Sequence, residues 1–402
     1  MSLYAELLTN IRQISVAASL PSPGDASTQV ALAADCQTVE LSHGGIVARL
    51  TLPAKTALSA ALLPIQDRQK GATTLSWRLP LEPSSTPSPH QTDALPWSAT
   101  DLDPSSAVTC RQCRTAVVPA GAVKEWKDLP SENWAEMMEF WHCHKPDRAH
   151  AHGDDAGKAD ETSLASRGYG ASSLISAQQG VGFVDLTTLL FAESDCRHLT
   201  FSLSGYQHGS TDRQSLPLTG STSTPSHKLN VFCSSCHGQL GFFNSRTSAV
   251  ALFKWQITCM SSLAAAPGIP ECLAATLIST MSRSGSSKAL ITPINDDTQT
   301  TNNAHDQTAI HVWVLNSSIV YSASSAARRT PAIKLLYRPI PAEKADRMLE
   351  AVTCEAQEIN MPAQAIGRVV QHLEESNLCL PLTERTFKEW NVGLLTRWES
   401  KA

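Results

Sequence analysis

Charge is scarce in this chain of 402 residues, and the little there is falls slightly on the acidic side. Lys and Arg number 32 against 37 Asp and Glu, a net charge of −5. A nucleic-acid-binding domain needs a basic footprint, so this balance argues against direct DNA or RNA binding. Long apolar runs are also missing. No stretch approaches the roughly 18 residues that cross a bilayer, which argues against a membrane protein. The opening MSLYAELLTNIRQIS has neither the basic start nor the continuous apolar centre of a secretory signal. There is no internal repeat, no phosphate-cradling glycine loop and no Ser/His/Asp pattern that spacing alone identifies. The expected address is therefore the cytosol, the nucleus or both.

Cysteine, by contrast, is plentiful. Eleven cysteines are an odd number for a closed disulfide framework. In a reducing compartment, two Cys-x-x-Cys pairs among scattered single cysteines read as metal ligands plus buried thiols. Apolar residues make up 42% of the chain, enough to bury a sizeable core across two or three domains.

Four regions follow from the pattern. Residues 1–83 read as strands and turns. Within them Thr38–Leu52 alternates on both sides of His43-Gly44-Gly45, where glycine suits a hairpin turn. Thr73–Leu81 is a further strand candidate. Residues 84–106 are rich in Pro and Ser and read as a linker. Residues 107–260 carry the chemistry, with polar inserts at 150–166 and 204–227 that offer little apolar surface against their ordering entropy. Val181–Phe191 lies between them and reads as a strand with a following helical turn.

Residues 261–402 are mixed. Ile310–Leu315 is apolar on both pleat faces, as a central strand covered on both sides would be, and Ala332–Tyr337 is its expected neighbour. Ala345, Met348, Leu349 and Val352 recur at helical spacing, as do Ile366, Val369, Val370 and Leu373. Leu378–Leu382 and Trp390–Trp398 either return to the sheet or pack against it. The expected fold class is α+β: β-rich, with a zinc-stapled middle region and C-terminal helices packed on a sheet.

The staple is Cys110-Arg-Gln-Cys113 with Cys233-Ser-Ser-Cys236. A tight Cys-x-x-Cys turn aims two thiolates at one cation, and two such turns complete a tetrahedron. The halves have 119 residues between them, far more than in common zinc fingers, so joining them closes an entropically costly loop. Two unrelated pairs of buried thiols, or a redox pair, are the other readings of the same residues. One structural zinc per chain is the expectation.

A second feature is Ser131–Trp141. Ser131 suits a helix N-cap, and Trp134, Met137, Met138 and Trp141 share a helical stripe. His142-Cys143-His144-Lys145 follow directly. The stripe is either core or a docking face; the Cys and His donors either pack locally or bind a metal, their own or a partner's. His43 and His311 read as turn or core histidines.

Taken together, Cys110-x-x-Cys113, Trp134…Trp141-His142-Cys143-His144-Lys145 and Cys233-Ser-Ser-Cys236…Leu240-Gly241 resemble the HECT-like family that binds ubiquitin-conjugating enzymes. The order of the later strands and helices agrees, so the likeness covers most of the chain. It implies a ubiquitin-protein ligase that takes a conjugating enzyme as partner and promotes ubiquitin transfer. It also implies an alternative: a non-catalytic chaperone or assembly factor for the metallo-β-lactamase-type endonuclease of pre-mRNA 3′-end processing, bound through Trp134–Lys145, with Cys143 capping the nuclease metal. HECT chemistry proper needs a nucleophilic cysteine near the C-terminus. Cys354 and Cys379 are the candidates, and packing is the competing reading of each, because no neighbouring base or cation is visible in the sequence.

Overall fold

A computed structural model describes residues 1–65, 71–83, 95–129, 177–202, 228–259, 265–294, 307–325, 328–351 and 353–399. Among these residues the strands form four sheets, and the fold is β-rich with helices packed on a sheet.

The largest sheet joins the two ends of the chain. Ser2–Leu8 pairs with Gln13–Ser19 on one side and with Thr308–Ala323 on the other, both antiparallel. Beyond them lie Thr74–Pro80 at one edge, then Thr330–Pro341, Trp390–Thr396 and Thr386–Phe387 at the other. Lys288–Pro293 also pairs with Thr308–Ala323 and carries the parallel strand Gln357–Met361. Ile310–Val314 and Ala332–Tyr337 are neighbours, as expected. Ile310, Val312 and Val314 face the main core, but the register shifts between Val314 and Asn316, and Leu315 is left exposed.

Among the described residues three helices complete this half. Helix α1, Ile269–Ser284, starts after Gly268, whose amide donates to Glu271, and stops at Gly285 in a left-handed conformation. Helix α2 is Ala342–Leu349 and α3 is Ala363–Asn377. The stripe Ile366, Val369 and Leu373 of α3 is buried with Leu273 and Leu277 of α1 against the sheet. Phe253 and Trp255 share that core, so the helices also seat the middle region. The stripe expected over 345–352 ends earlier: α2 stops at Leu349, and Val352 lies outside the described residues. Cys354 consequently sits in a turn closed by its amide on the Ala351 carbonyl, not in a helix. Leu378–Leu380 likewise form a turn after α3, the Cys379 amide donating to the Ser376 carbonyl and the Leu380 amide to that of Asn377, rather than a strand.

The middle region is a second sheet, in the order Glu125–Asp128, Val181–Val184, Thr188–Ala192, Ala249–Phe253, Gln239–Asn244, Lys228–Cys233 and Leu199–Ser202. Val181–Phe191 is therefore two antiparallel strands, not a strand and a helical turn. The alternating burial of Leu189 and Phe191 on the inner face settles that local choice. A small sheet of Ile257–Cys259, Val108–Cys110 and Ala116–Val118 lies against it. In the N-terminal region Thr38–His43 and Ile46–Thr51 form the expected hairpin. Gly44 and Gly45 are its two turn residues and both have positive φ.

Residues 95–106 are held firmly. Trp97 is fully buried, and Lys254, also with no exposure, donates its Nζ to the carbonyls of Pro96 and Trp97. Burial pushes the Lys254 ammonium down to about 8. The unfolded lysine keeps its proton to about 10.4, so the unfolded state binds the extra proton between these values and stability rises with pH across that window. The full effect is about 3 kcal/mol. Urea midpoints of the wild type and Lys254→Met from pH 7.5 to 10 check this: the wild type should gain on the variant as pH rises, and a constant gap would refute it.

Candidate metal centre

Each Cys-x-x-Cys pair closes a hairpin. In the first, the Cys110 amide donates to the Thr115 carbonyl and the Arg114 amide donates back to the Cys110 carbonyl, at 2.8 and 2.9 Å. In the second, Cys233 and Gly238 make the first bond and His237 and Cys233 the other, both at 2.9 Å. Arg114 and His237, each directly after the second cysteine, both adopt positive φ, 65° and 59°. That left-handed residue turns the chain so that the two thiols of each pair point the same way. The halves are thus two copies of one local structure, one on the small sheet and one on the large middle sheet.

The structure brings all four sulfurs together. Cys110 Sγ lies 3.6 Å from Cys236 Sγ, and Cys113 Sγ lies 3.5 Å from Cys233 Sγ. All four fall within 4.8 Å of one another. A tetrahedron with metal–sulfur bonds near 2.3 Å has edges of about 3.8 Å, so the cluster fits one ion. Soft thiolates in that geometry match zinc. Cys110 and Cys233 are buried while Cys113 is exposed. The hydroxyl and amide of Thr115 hold the Cys113 thiol down to about 6, and burial pushes Cys236 up to about 12. A bound dication would keep all four deprotonated.

The residues between the cysteines lock the halves together, which spacing alone did not reveal. Arg111 reaches the carbonyls of Trp255 and Pro267 through Nη1 at 3.2 and 3.1 Å. Thr115 Oγ1 donates to Ser235 Oγ at 3.0 Å, bridging the two turns. Gln112 lies against Gly238, where a Cβ would come within 2.9 Å of its Oε1. The only advance signal for these roles was their position inside or beside a Cys-x-x-Cys turn.

The other candidate residues do not join this centre. Trp134, Met137, Met138, Trp141, His142, Cys143 and His144 lie outside the described residues. Cys379 Sγ is 3.5 Å from the Ser325 hydroxyl and packs beside Tyr321, and Cys354 Sγ points at the Ala356 carbonyl at 3.6 Å. None of these contacts is a base or a cation. The two cysteines also sit on different parts of the fold, one after α3 and one after α2.

The sequence pattern of the family described as HECT-like ubiquitin-conjugating enzyme (E2)-binding matches residues 6–392, from the first strand to the last. The chain belongs to this family. It is also similar to two uncharacterized yeast proteins. One, from Schizosaccharomyces pombe, is 24% identical over 323 residues, covering 76% of this chain and 79% of the relative. The other, from Saccharomyces cerevisiae, is 21% identical over 300 residues, covering 74% of this chain and 71% of the relative. No solved structure matches. The family span therefore contains both halves of the cysteine cluster and both ends of the large sheet. Among the described residues no helix is long and apolar enough to cross a membrane.

Elemental analysis of the purified protein should find about one zinc per chain. Cys233→Ala should abolish it and cost more than about 4 kcal/mol of stability, as loss of a structural metal does. A metal-free wild type that unfolds at the same temperature with and without added zinc would refute the assignment.

Proposed function

We propose that this protein binds a ubiquitin-conjugating enzyme and promotes ubiquitin transfer, as a ubiquitin-protein ligase or ligase adaptor. The observation that carries the reading is the family match along residues 6–392. In this reading the four-cysteine cluster holds a structural zinc ion. A site of four thiolates leaves no open coordination position for substrate, so the ion braces the middle region and takes no part in transfer. The surroundings of Cys354 and Cys379 favour packing over nucleophilic work. The hydrogen-bond contacts of the two thiols are a serine hydroxyl and a backbone carbonyl, neither of them a base or a cation.

The test is discharge of ubiquitin from a panel of charged conjugating enzymes, run alongside direct capture of each enzyme. At least one enzyme should bind and discharge several-fold faster, with Cys354→Ala and Cys379→Ala as active as the wild type. A reductant-sensitive ubiquitin adduct that disappears with either variant would restore a HECT-type cysteine. Replacing Trp134 and Trp141 by Ala assigns that segment. If capture of a metallo-β-lactamase-type endonuclease is lost and no conjugating enzyme ever binds, the assembly-factor role replaces this one.

A further inference from the structure

The N-terminal region holds a second constellation that sequence spacing did not reveal. His43, on the hairpin strand Thr38–His43, is buried with 3% exposure. Its Nε2 lies 2.9 Å from Ser22 Oγ and its Nδ1 lies 2.8 Å from Thr28 Oγ1. Thr28 Oγ1 in turn donates to Asp25 Oδ1 at 3.4 Å, and the same carboxylate oxygen lies 3.9 Å from His43 Nδ1. Hydrogen bonds from Ser27 hold Asp25 below the usual carboxylate range, so it carries its charge at neutral pH. In the tautomer that the proposal uses, Nδ1–H donates to Thr28 Oγ1, Thr28 donates to Asp25, and Nε2 accepts from Ser22. A hydroxyl, a base and a third group that orients the base is the general arrangement of an activated nucleophile.

The hydroxyl is also well placed and accessible. Ser22 is exposed and stands between Pro21 and Pro23, whose rings restrict its backbone. Leu20 and Gly24 on either side are pinned by their amides to Thr73 and Ala72. Pro21, Pro23 and Ala26 are exposed as well, so an acyl donor must bring its own enclosure. Across the hairpin from His43 stands Ile46, followed by Val47, with 59% and 56% of their surface exposed. Exposed apolar side chains on the same hairpin as the base suit a docked protein rather than a small ester.

We propose that Ser22 is a nucleophile with His43 as its base, and that it accepts ubiquitin from the thioester of the conjugating enzyme. The inference rests on the reading above and gives it a chemical step. Ser22 Oγ forms a bond to the thioester carbonyl carbon while its proton passes to His43 Nε2. The C–S bond breaks, and the departing thiolate takes that proton back from the imidazolium. The product is an oxygen ester of ubiquitin on Ser22. A lysine amine of the substrate then attacks that ester, its proton passes to His43 Nε2, the C–O bond breaks, and His43 hands that proton to Ser22 Oγ as it leaves, so the product is an amide and the free serine. No oxidant, metal or second cofactor is needed. Thr28 and Asp25 are positioning residues, since they touch only the base.

An oxygen ester survives thiol reductants and is cleaved by hydroxylamine, which separates it from a cysteine thioester. The full-length protein is mixed with the charged conjugating enzyme that it captures, then resolved with reductant present. The expected result is a reductant-resistant, hydroxylamine-labile ubiquitin adduct, located on Ser22 by mass spectrometry. Ser22→Ala should remove it, His43→Gln should slow it about 100-fold or more, and Ser22→Cys should turn it reductant-sensitive. Ser22 is exposed, so its two variants are expected to fold, and their zinc content and thermal midpoint verify that. Capture of the conjugating enzyme without any such adduct overturns the proposal and leaves the general reading standing. If no conjugating enzyme is captured, the general reading fails, and labelling by a fluorophosphonate probe decides the nucleophile separately: label at Ser22 that is lost with His43→Gln retains it, and no label at Ser22 overturns it.

Discussion

The pairing of Ser2–Leu8 with Thr308–Ala323 is the constraint on which the rest of the architecture hangs. It makes the first strand of the chain an interior strand of a sheet built mostly from the last third. Glu6 shows what the pairing organises. Its buried carboxylate receives the Tyr4 hydroxyl and the Lys334 ammonium, both at 2.8 Å. A charge taken out of water needs that partner, and losing one member of such a pair is far more costly than never having built it. The closing loop spans some three hundred residues, yet loop entropy grows only logarithmically with length. The sheet surface buried on both faces outweighs it.

The cysteine cluster repeats the same logic on a smaller scale. Two turns of identical local geometry meet across two sheets, and Gln112, Thr115 and Ser235 connect them directly, while Arg111 ties the first turn to Trp255 and Pro267. Those contacts fix the orientation of the turns. A metal ion then meets four sulfurs already converging, so little ordering is left for binding to accomplish. The core behind the cluster is continuous with its strands through Val108, Val231 and Leu240. Phe253 and Trp255 carry the connection onward into the helices α1 and α3.

Function divides accordingly between frame and surface. The cluster braces the middle region, and the chemistry proposed here stands at the rim of the N-terminal hairpin. There Gly44 and Gly45 permit the tight reversal that sets His43 under Ser22. The base is buried at the end of an interior strand, and the hydroxyl is exposed on a proline-bounded loop beside it. Cys354 and Cys379, by comparison, sit in turns whose nearest groups are a backbone carbonyl and a serine hydroxyl.

Much of this was legible in the residues themselves. Alternation placed the hairpin within Thr38–Leu52, helical spacing placed α3, and the two Cys-x-x-Cys pairs named all four cysteines of the cluster, because each signal is local and repeats within a few residues. The local signals failed where long-range packing chose between equals. Val181–Phe191 became two strands because Ala249–Phe253 was there to pair with. Cys379 left its expected strand because α3 ends in a turn at that point. Above all, the sequence could determine that two thiol pairs existed, but not that they met. Nor could it determine that Ser22, Thr28 and His43 share one chain of hydrogen bonds. Those meetings depend on which strands lie side by side, and that was decided only when the whole core assembled.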